Sequence, residues 1–289
     1  MMLMETIPGV NFKQRLSDDD VYVSNKLVSL STLTGLPVRK GLEKAIVSNG
    51  QVVNVVSKSY GHLPNERFFH EVEVKLVEAG LGYITRSINR DDRSFAVDYI
   101  LDDDNWVVKV KNGKDKLRPM LRFTNSYDGS VKTSGHFGFF REVCANGLHV
   151  AHSKIGFSVK HKGNIVQVVL PEIRMMVDAF LDNEFYSLHR KFEVLAERPI
   201  KNLQDFVKVT AETFKLFKYE SSDKNPAPSR NARIVMDTII RDMQMSGHQP
   251  NLWTGYNAFN ALLHKKLKRS FQVQKSIDEK IFSHLVEMK

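Results

Sequence analysis

Arg118-Pro119-Met120-Leu121-Arg122-Phe123-Thr124-Asn125-Ser126-Tyr127-Asp128-Gly129-Ser130 decides how the first half of this chain folds. Arg118–Thr124 reads as a strand, and the Asn, Ser, Asp and Gly that follow it favour a turn. The same grammar recurs on either side. Val52–Val56, Tyr83–Ile88, Ser94–Leu101 and Trp106–Val110 read as strands separated by charged or Gly-containing turns. Ile155–Lys160 and Ile165–Leu170 flank His161-Lys162-Gly163-Asn164, a hairpin signal. One helix is expected among them. Asn65 is placed to cap it, Phe69, Val72, Leu76 and Val77 line one face, and Gly80 stops it.

After Pro171 the periodicity changes. Ile173, Val177, Phe180, Leu188, Phe192 and Leu195 recur at helical spacings and predict one long amphipathic helix, with another over Phe206–Phe217. Ser221–Ser229, with two prolines, reads as a linker, and helical patterns follow near Ala232–Met245, Trp253–Arg269 and Gln274–Glu287. The expected fold class is α+β: an antiparallel-sheet-rich N-terminal half with a helix, then a helical C-terminal half. Its divisions are an N-terminal arm over 1–50, a basic sheet-rich core over 51–170, long helices over 171–220, a linker over 221–231 and a C-terminal helical segment over 232–289.

A length of 289 residues allows one large domain or two modest ones, and 42% hydrophobic content supports a real core. The single cysteine, Cys144, excludes an intramolecular disulfide and fits a reducing compartment. No basic start followed by an apolar run marks a signal peptide, and no stretch approaches the roughly 20 apolar residues that span a bilayer. A cytoplasmic protein without a membrane partner is expected.

Charge is concentrated. Residues 105–162 hold eleven Lys/Arg against three acids, a net +8 in a chain whose total is +9. Such a block neutralises phosphates and releases their counterions, and interleaved rings offer stacking platforms for bases. Alternation along strands places Lys109 with Lys111, and Lys116 with Arg118 and Arg122, on common faces. Lys132 and Arg141 add to the block, and Tyr127 and Phe137 are the stacking candidates, although most phenylalanines are buried. Asn125, Ser126 and Gly129 fit a turn whose amides form a phosphate nest. Gly135 and Gly138 would let backbone approach a ligand. The same residues also fit an ordinary hairpin turn followed by a short buried helix ending at Gly147.

The Asn-Ser-x-Asp-Gly-Ser turn, the string Arg141-x-Val143-Cys144-x-Asn146-Gly147-Leu148 and the segment Leu252-Trp253-x-x-Tyr256-Asn257-Ala258 occur in that order. Together they resemble the phage- and plasmid-borne domain-of-unknown-function 932 family, from about Tyr60 to Leu263. The resemblance implies a mobile-element or phage origin and a soluble intracellular protein, in the host cytoplasm if phage-encoded, and it brings no catalytic residues. In architecture and charge alone the chain is also similar to phage single-strand annealing proteins of the Red-beta, RecT and Erf kind.

In Trp253–Arg269 an apolar stripe runs beside His264, Lys265, Lys268 and Arg269, so a phosphate clamp and an ordinary packed helix are both open readings. Cys144, His149, His152 and His161 have only a superficial zinc-like order, since structural sites pair ligands at both ends. Asp98, Asp102 and Glu71 are an unselected carboxylate set for a two-metal nuclease. No Walker loop, dinucleotide fingerprint, nucleophile elbow or zincin helix is present.

The leading expectation is a non-enzymatic nucleic-acid-binding protein without a cofactor or metal. Its first ligand is single-stranded DNA, and its role lies in recombination or annealing. Lys109, Lys111, Lys116, Arg118, Arg122, Lys132, Arg141, Lys265, Lys268 and Arg269 would meet phosphates, and an annealing role would bring homo-oligomers. The alternatives are an interaction protein whose basic face binds or inhibits an acidic host protein, and a metal-dependent nuclease.

Overall fold

The computed structural model describes residues 25–48, 50–87, 93–110, 115–141, 146–148, 155–182, 187–221, 227–246, 249–267, 269 and 271–288. Strand β1 (Asn25–Ser29), the short helix α1 (Leu30–Thr34), β2 (Lys44–Ser48) and β3 (Gln51–Val56) come first. The strands form a three-stranded antiparallel sheet in the order β1-β2-β3. This corrects the expected arm over 1–50 for residues 25–48; residues 1–24 lie outside the described residues. The run Val52–Val56 needs partners for its backbone groups, and Lys44–Ser48 supplies them across a turn where Gly50 has φ 75°.

Helix α2 (Asn65–Glu78) buries Phe68, Phe69, Val72 and Leu76. Its cap differs from expectation. Pro64 is the N-cap, and Asn65 is the first helical residue, whose Oδ1 accepts from Asn125 Nδ2 at 2.8 Å. The stop is as expected: Gly80 has φ 69°, and Leu81 N–H returns to Leu76 O at 2.9 Å.

Strands β4 (Tyr83–Ser87), β5 (Ser94–Leu101), β6 (Val108–Val110), β7 (Asp115–Ser126), β8 (Thr133–Arg141), β9 (Asn146–Leu148) and β10 (Gly156–Val159) build a seven-stranded antiparallel sheet. Its order is β10-β8-β7-β5-β4; β6 continues the β5 side of β7, and β9 continues the β10 side of β8. Phe137, Phe139 and Phe140 therefore lie on a strand, and no short helix runs from them to Gly147 among the described residues.

The pleat gives this sheet two unlike faces. One carries Leu117, Leu121, Phe123, Phe137, Phe139 and Phe157, all in the main core. The other carries Asp98, Arg122, Thr124, Ser134 and His136, with a small apolar cluster of Ile100, Met120 and Phe140.

The expected hairpin around His161–Asn164 is not formed. After β10 the chain enters helix α3 (Ile165–Leu181), which buries Ile165, Val169, Ile173, Met176, Val177 and Phe180 at helical spacing. Pro171 lies inside this helix on its exposed side, where the Gln167 carbonyl that would have bonded its N–H is also near water. The long helix expected across Ile173–Leu195 is two: α3, and α4 (Ser187–Glu197). Helices α5 (Leu203–Thr213), α6 (Arg230–Ser246), α7 (Leu252–Lys265) and α8 (Phe271–Glu287) complete the chain. Asn202 caps α5 through the N–H groups of Gln204 and Asp205, and Asn251 with Thr254 forms a capping box on α7.

One buried cluster runs from Ile46 to Leu285, so the sheet-rich and helical halves share a core. Edge-to-face rings carry it across the joint: Phe137–Phe139 at 4.9 Å, Phe139–Phe192 at 5.1 Å and Phe192–Phe282 at 5.6 Å. Gly135 sits in the cross-strand row between Phe123 and Phe157, and a Cβ there would meet Met176 Sδ at 2.5 Å and Phe157 at 2.6 Å. Gly135→Ala is expected to lower stability by about 1–3 kcal/mol through overpacking. Urea denaturation checks this, and an unchanged midpoint would mean that α3 is free to shift away from the sheet.

Candidate nucleic-acid interface

The residues expected to meet a ligand divide into three groups when placed on this frame. Lys109 and Lys116 are exposed and stand directly opposite each other in the β6–β7 register. Neither has an acidic partner among the described residues. Helix α4 abuts them, with His189 Nε2 donating to the Lys109 carbonyl at 2.9 Å and the exposed Arg190 and Lys191 beside it. Lys132, half-buried, and Gly129, exposed, lie at the β7–β8 turn.

The second group is engaged by the protein itself. Arg118 donates to the Asp102 carbonyl at 2.8 Å and to Asp104 at 2.7 Å, so its guanidinium is engaged within the chain. Arg122 is buried and forks onto Asp98, with Nη2 donating to Oδ2 at 2.7 Å and Nε to Oδ1. Arg141, 2% exposed, donates to Asp115 Oδ2 at 2.7 Å and to Asp242 at 3.1 Å, and Trp253 Nε1 donates to the same Asp115 oxygen at 2.8 Å. Arg269 Nη2 donates to the carbonyls of Lys215 and Leu216, at 3.0 and 3.4 Å, just beyond the end of α5. Arg122 and Arg141 are thus structural cations, which corrects their expected role as phosphate ligands, whereas Arg269 is half-buried and holds the end of α5 from the surface.

The expected phosphate nest is corrected in the same way. Asn125 is fully buried; its Nδ2 donates to Leu63 O and Asn65 Oδ1, both at 2.8 Å, and its Oδ1 accepts from Thr133 at 2.9 Å. Ser126 Oγ donates to Val131 O at 2.7 Å. Tyr127 is 1% exposed; its hydroxyl accepts from Asn25 Nδ2 and from Asn65 N–H. Phe137, also 1% exposed, is core. No ring proposed for stacking is open to a base. This cluster instead ties β1, the start of α2 and the β7–β8 turn together. Tyr60 belongs to it, stacked on His161 with ring centroids 5.3 Å apart and donating to Ser126 O at 3.1 Å.

The third group, Lys111, Lys268 and the Lys265 side chain, lies outside the described residues, as do Cys144, His149 and His152. Of the carboxylate set, Asp98 faces the polar side of the sheet, while α2, which carries Glu71, packs on the apolar side through Phe68 against Phe123. The sheet separates them. Among the described residues no group of three or more His, Cys, Asp or Glu could hold a metal ion.

The sequence reading missed a hydrogen-bonded chain on the polar face. Lys275 Nζ lies 2.7 Å from His136 Nδ1, His136 Nε2 lies 2.9 Å from Ser134 Oγ, and Ser134 Oγ lies 2.6 Å from Thr124 Oγ1. The lysine ammonium donates to Nδ1, which fixes the proton on Nε2. His136 therefore donates to Ser134, Ser134 to Thr124, and Thr124 to the Lys132 carbonyl at 3.1 Å. In that direction His136 is no base towards Ser134, so the chain orders the face and does not activate a nucleophile. Burial, with the charges of Lys275 and Arg122, pushes the His136 pKa down to about 3. Burial likewise pushes His62 down to about 4 and lowers His161.

The architecture is thus an α+β protein with a two-faced antiparallel sheet, in which Arg141 and Trp253, two residues that carry the sequence resemblance, meet at Asp115. Residues 52–281 match the family model described as Domain of unknown function (DUF932), and the chain belongs to that family. No curated protein and no solved structure matches it, so the likeness to phage annealing proteins gains nothing from these comparisons. No helix among the described residues is long and apolar enough to cross a membrane.

Arg122→Ala and Arg141→Ala should each lower stability by about 3–5 kcal/mol, because each strands a buried carboxylate. Lys116→Ala should change it by less than about 0.5 kcal/mol. Denaturation of the three variants separates structural from surface cations, and equal effects would undo the division. Stability should also fall with acid. In the unfolded chain imidazole takes up its proton near pH 6.5, whereas folded His62 and His136 resist to about 4 and about 3. The unfolded state therefore holds more protons below pH 6.5, and each group adds a slope of up to about 1.4 kcal/mol per pH unit as pH falls towards its folded value. Urea midpoints from pH 7.5 to 4 should show this loss, with a shallower slope in His136→Gln. A flat profile would contradict it.

Proposed function

We propose that the protein binds nucleic acid without catalysing its conversion, through exposed lysines of the sheet, with single-stranded DNA as the first ligand to test. The Lys109/Lys116 pair carries this reading. Like charges directly opposite in an antiparallel ladder repel, and these two meet no acid among the described residues. A phosphate backbone laid across them would relieve that repulsion and release counterions. Because Tyr127 and Phe137 are buried, little stacking is available, so binding should be electrostatic, salt-sensitive and indifferent to sequence. The lack of an open ring also favours, as a second reading, an acidic protein partner on the same lysines.

Fluorescence anisotropy with labelled oligo-dT, a mixed single strand, duplex DNA and RNA at two salt concentrations tests the proposal. Lys109→Glu/Lys116→Glu should bind at least roughly tenfold more weakly to every sequence. Its salt slope on single strands should be shallower by about 1.4, at roughly 0.7 per phosphate contact. Unchanged affinity and slope would remove these lysines from the site. Absence of binding by the unaltered protein at low salt would favour the acidic protein partner.

A further inference from the structure

The Lys109/Lys116 pair has a counterpart at the other end of the same sheet. Thr133 pairs with Val159 at the last rung of the β8–β10 ladder. Lys132 and Lys160 are the next residues outward, so strand alternation sets them across from each other. Thr133 faces Asn125 on the apolar side, through a hydrogen bond of 2.9 Å. Lys132 and Lys160 therefore share the face of Ser134, His136 and Arg122, which is also the face of Lys116 and Lys109. Lys160 is exposed and Lys132 half-exposed, and neither has an ion pair among the described residues.

Two further exposed lysines converge on this end. Tyr60 forms an antiparallel bridge with Lys162, and Gly163 N–H donates to Ser59 O at 3.0 Å, which brings Lys162 and Lys58 alongside. The segment that holds them is rigidly seated, since Tyr60 stacks on His161 and bonds to Ser126 O. The nearby acids are Asp128, whose Oδ1 accepts from Ser130 N–H, and Glu43, which accepts from Gly41 and Lys58 N–H.

From the level of Lys116 to that of Lys132 is ten residues along β7, about 33 Å at 3.3 Å per residue. The polar middle of the face, Arg122 to His136, is buried, so the two ends do not form one continuous groove. We infer that Lys132 and Lys160, with Lys58 and Lys162, form a second anchor for the same nucleic-acid strand, so that one strand bridges both lysine pairs. This rests on the nucleic-acid reading above and adds a length requirement to it. A stacked strand at 3.4 Å per nucleotide needs at least about ten nucleotides to reach from one pair to the other, since its path must pass over the covered middle where Lys275 sits on His136. A shorter one engages a single pair.

The test is a length series, oligo-dT of 5, 10, 15 and 20 nucleotides, against the unaltered protein and Lys132→Glu/Lys160→Glu. Circular dichroism and urea midpoints establish that the variant is folded, and Lys132→Ala/Lys160→Ala serves if it is not. The unaltered protein should gain roughly tenfold or more in affinity between 5 and 20 nucleotides, as the second anchor engages at high effective concentration. The variant should lose most of that gain, and its salt slope on the long strand should be shallower by about 1.4. If the variant keeps the full gain, the second anchor is overturned while nucleic-acid binding stands. If the unaltered protein binds none of the series, both fall together.

Discussion

A guanidinium held between two carboxylates, all three shut away from water, fixes the geometry on which the two halves of this molecule depend. Arg141 comes from β8, Asp115 from β7 and Asp242 from α6, and Trp253 of α7 donates its indole N–H to the same Asp115 oxygen that receives Arg141. Moving ions from water into an interior costs several kcal/mol each, and only close contacts offset it. The helices are therefore not free to slide over the sheet. Any displacement that satisfied the apolar packing but lengthened these contacts would leave an uncompensated charge. The Phe139–Phe192–Phe282 rings supply the non-directional attraction, and the ion cluster selects the register.

What the sequence made legible was local. Ser94–Leu101 and the run through Thr124 are strands because alternation and β-branched content are written in the residues themselves, and Gly80 ends its helix as its type suggests. The hairpin misreading at His161–Asn164 has a physical origin. A Gly-Asn step between β-branched runs is also what a strand needs to turn into a helix, and Pro171 concealed that helix by looking like its boundary. The polar string Asn125-Ser126-Tyr127 resembled an open turn because its residue types favour water. Its partners Asn25, Leu63 and Asn65 arrive from distant parts of the chain, and no local window of sequence contains them.

Charge counting failed for the same reason. Residues 105–162 looked starved of acids, yet Asp104, Asp98 and Asp242 lie outside that window and pair with Arg118, Arg122 and Arg141. The arginines with fork geometry took those partners, and lysines were left at the surface. That division follows from chemistry, since a planar guanidinium fits a carboxylate in two places and an ammonium does not. Local net charge marks a basic segment, whereas only the fold says which cations remain available.

Trp253 gives the molecule an internal reporter. It is one of two tryptophans, fully buried, with its indole N–H on Asp115 and the Arg141 guanidinium 5.9 Å from its ring. With Trp106 replaced by phenylalanine, emission belongs to the joint between sheet and helices, and light from that one ring distinguishes a chain whose halves have parted from one whose surface has merely frayed.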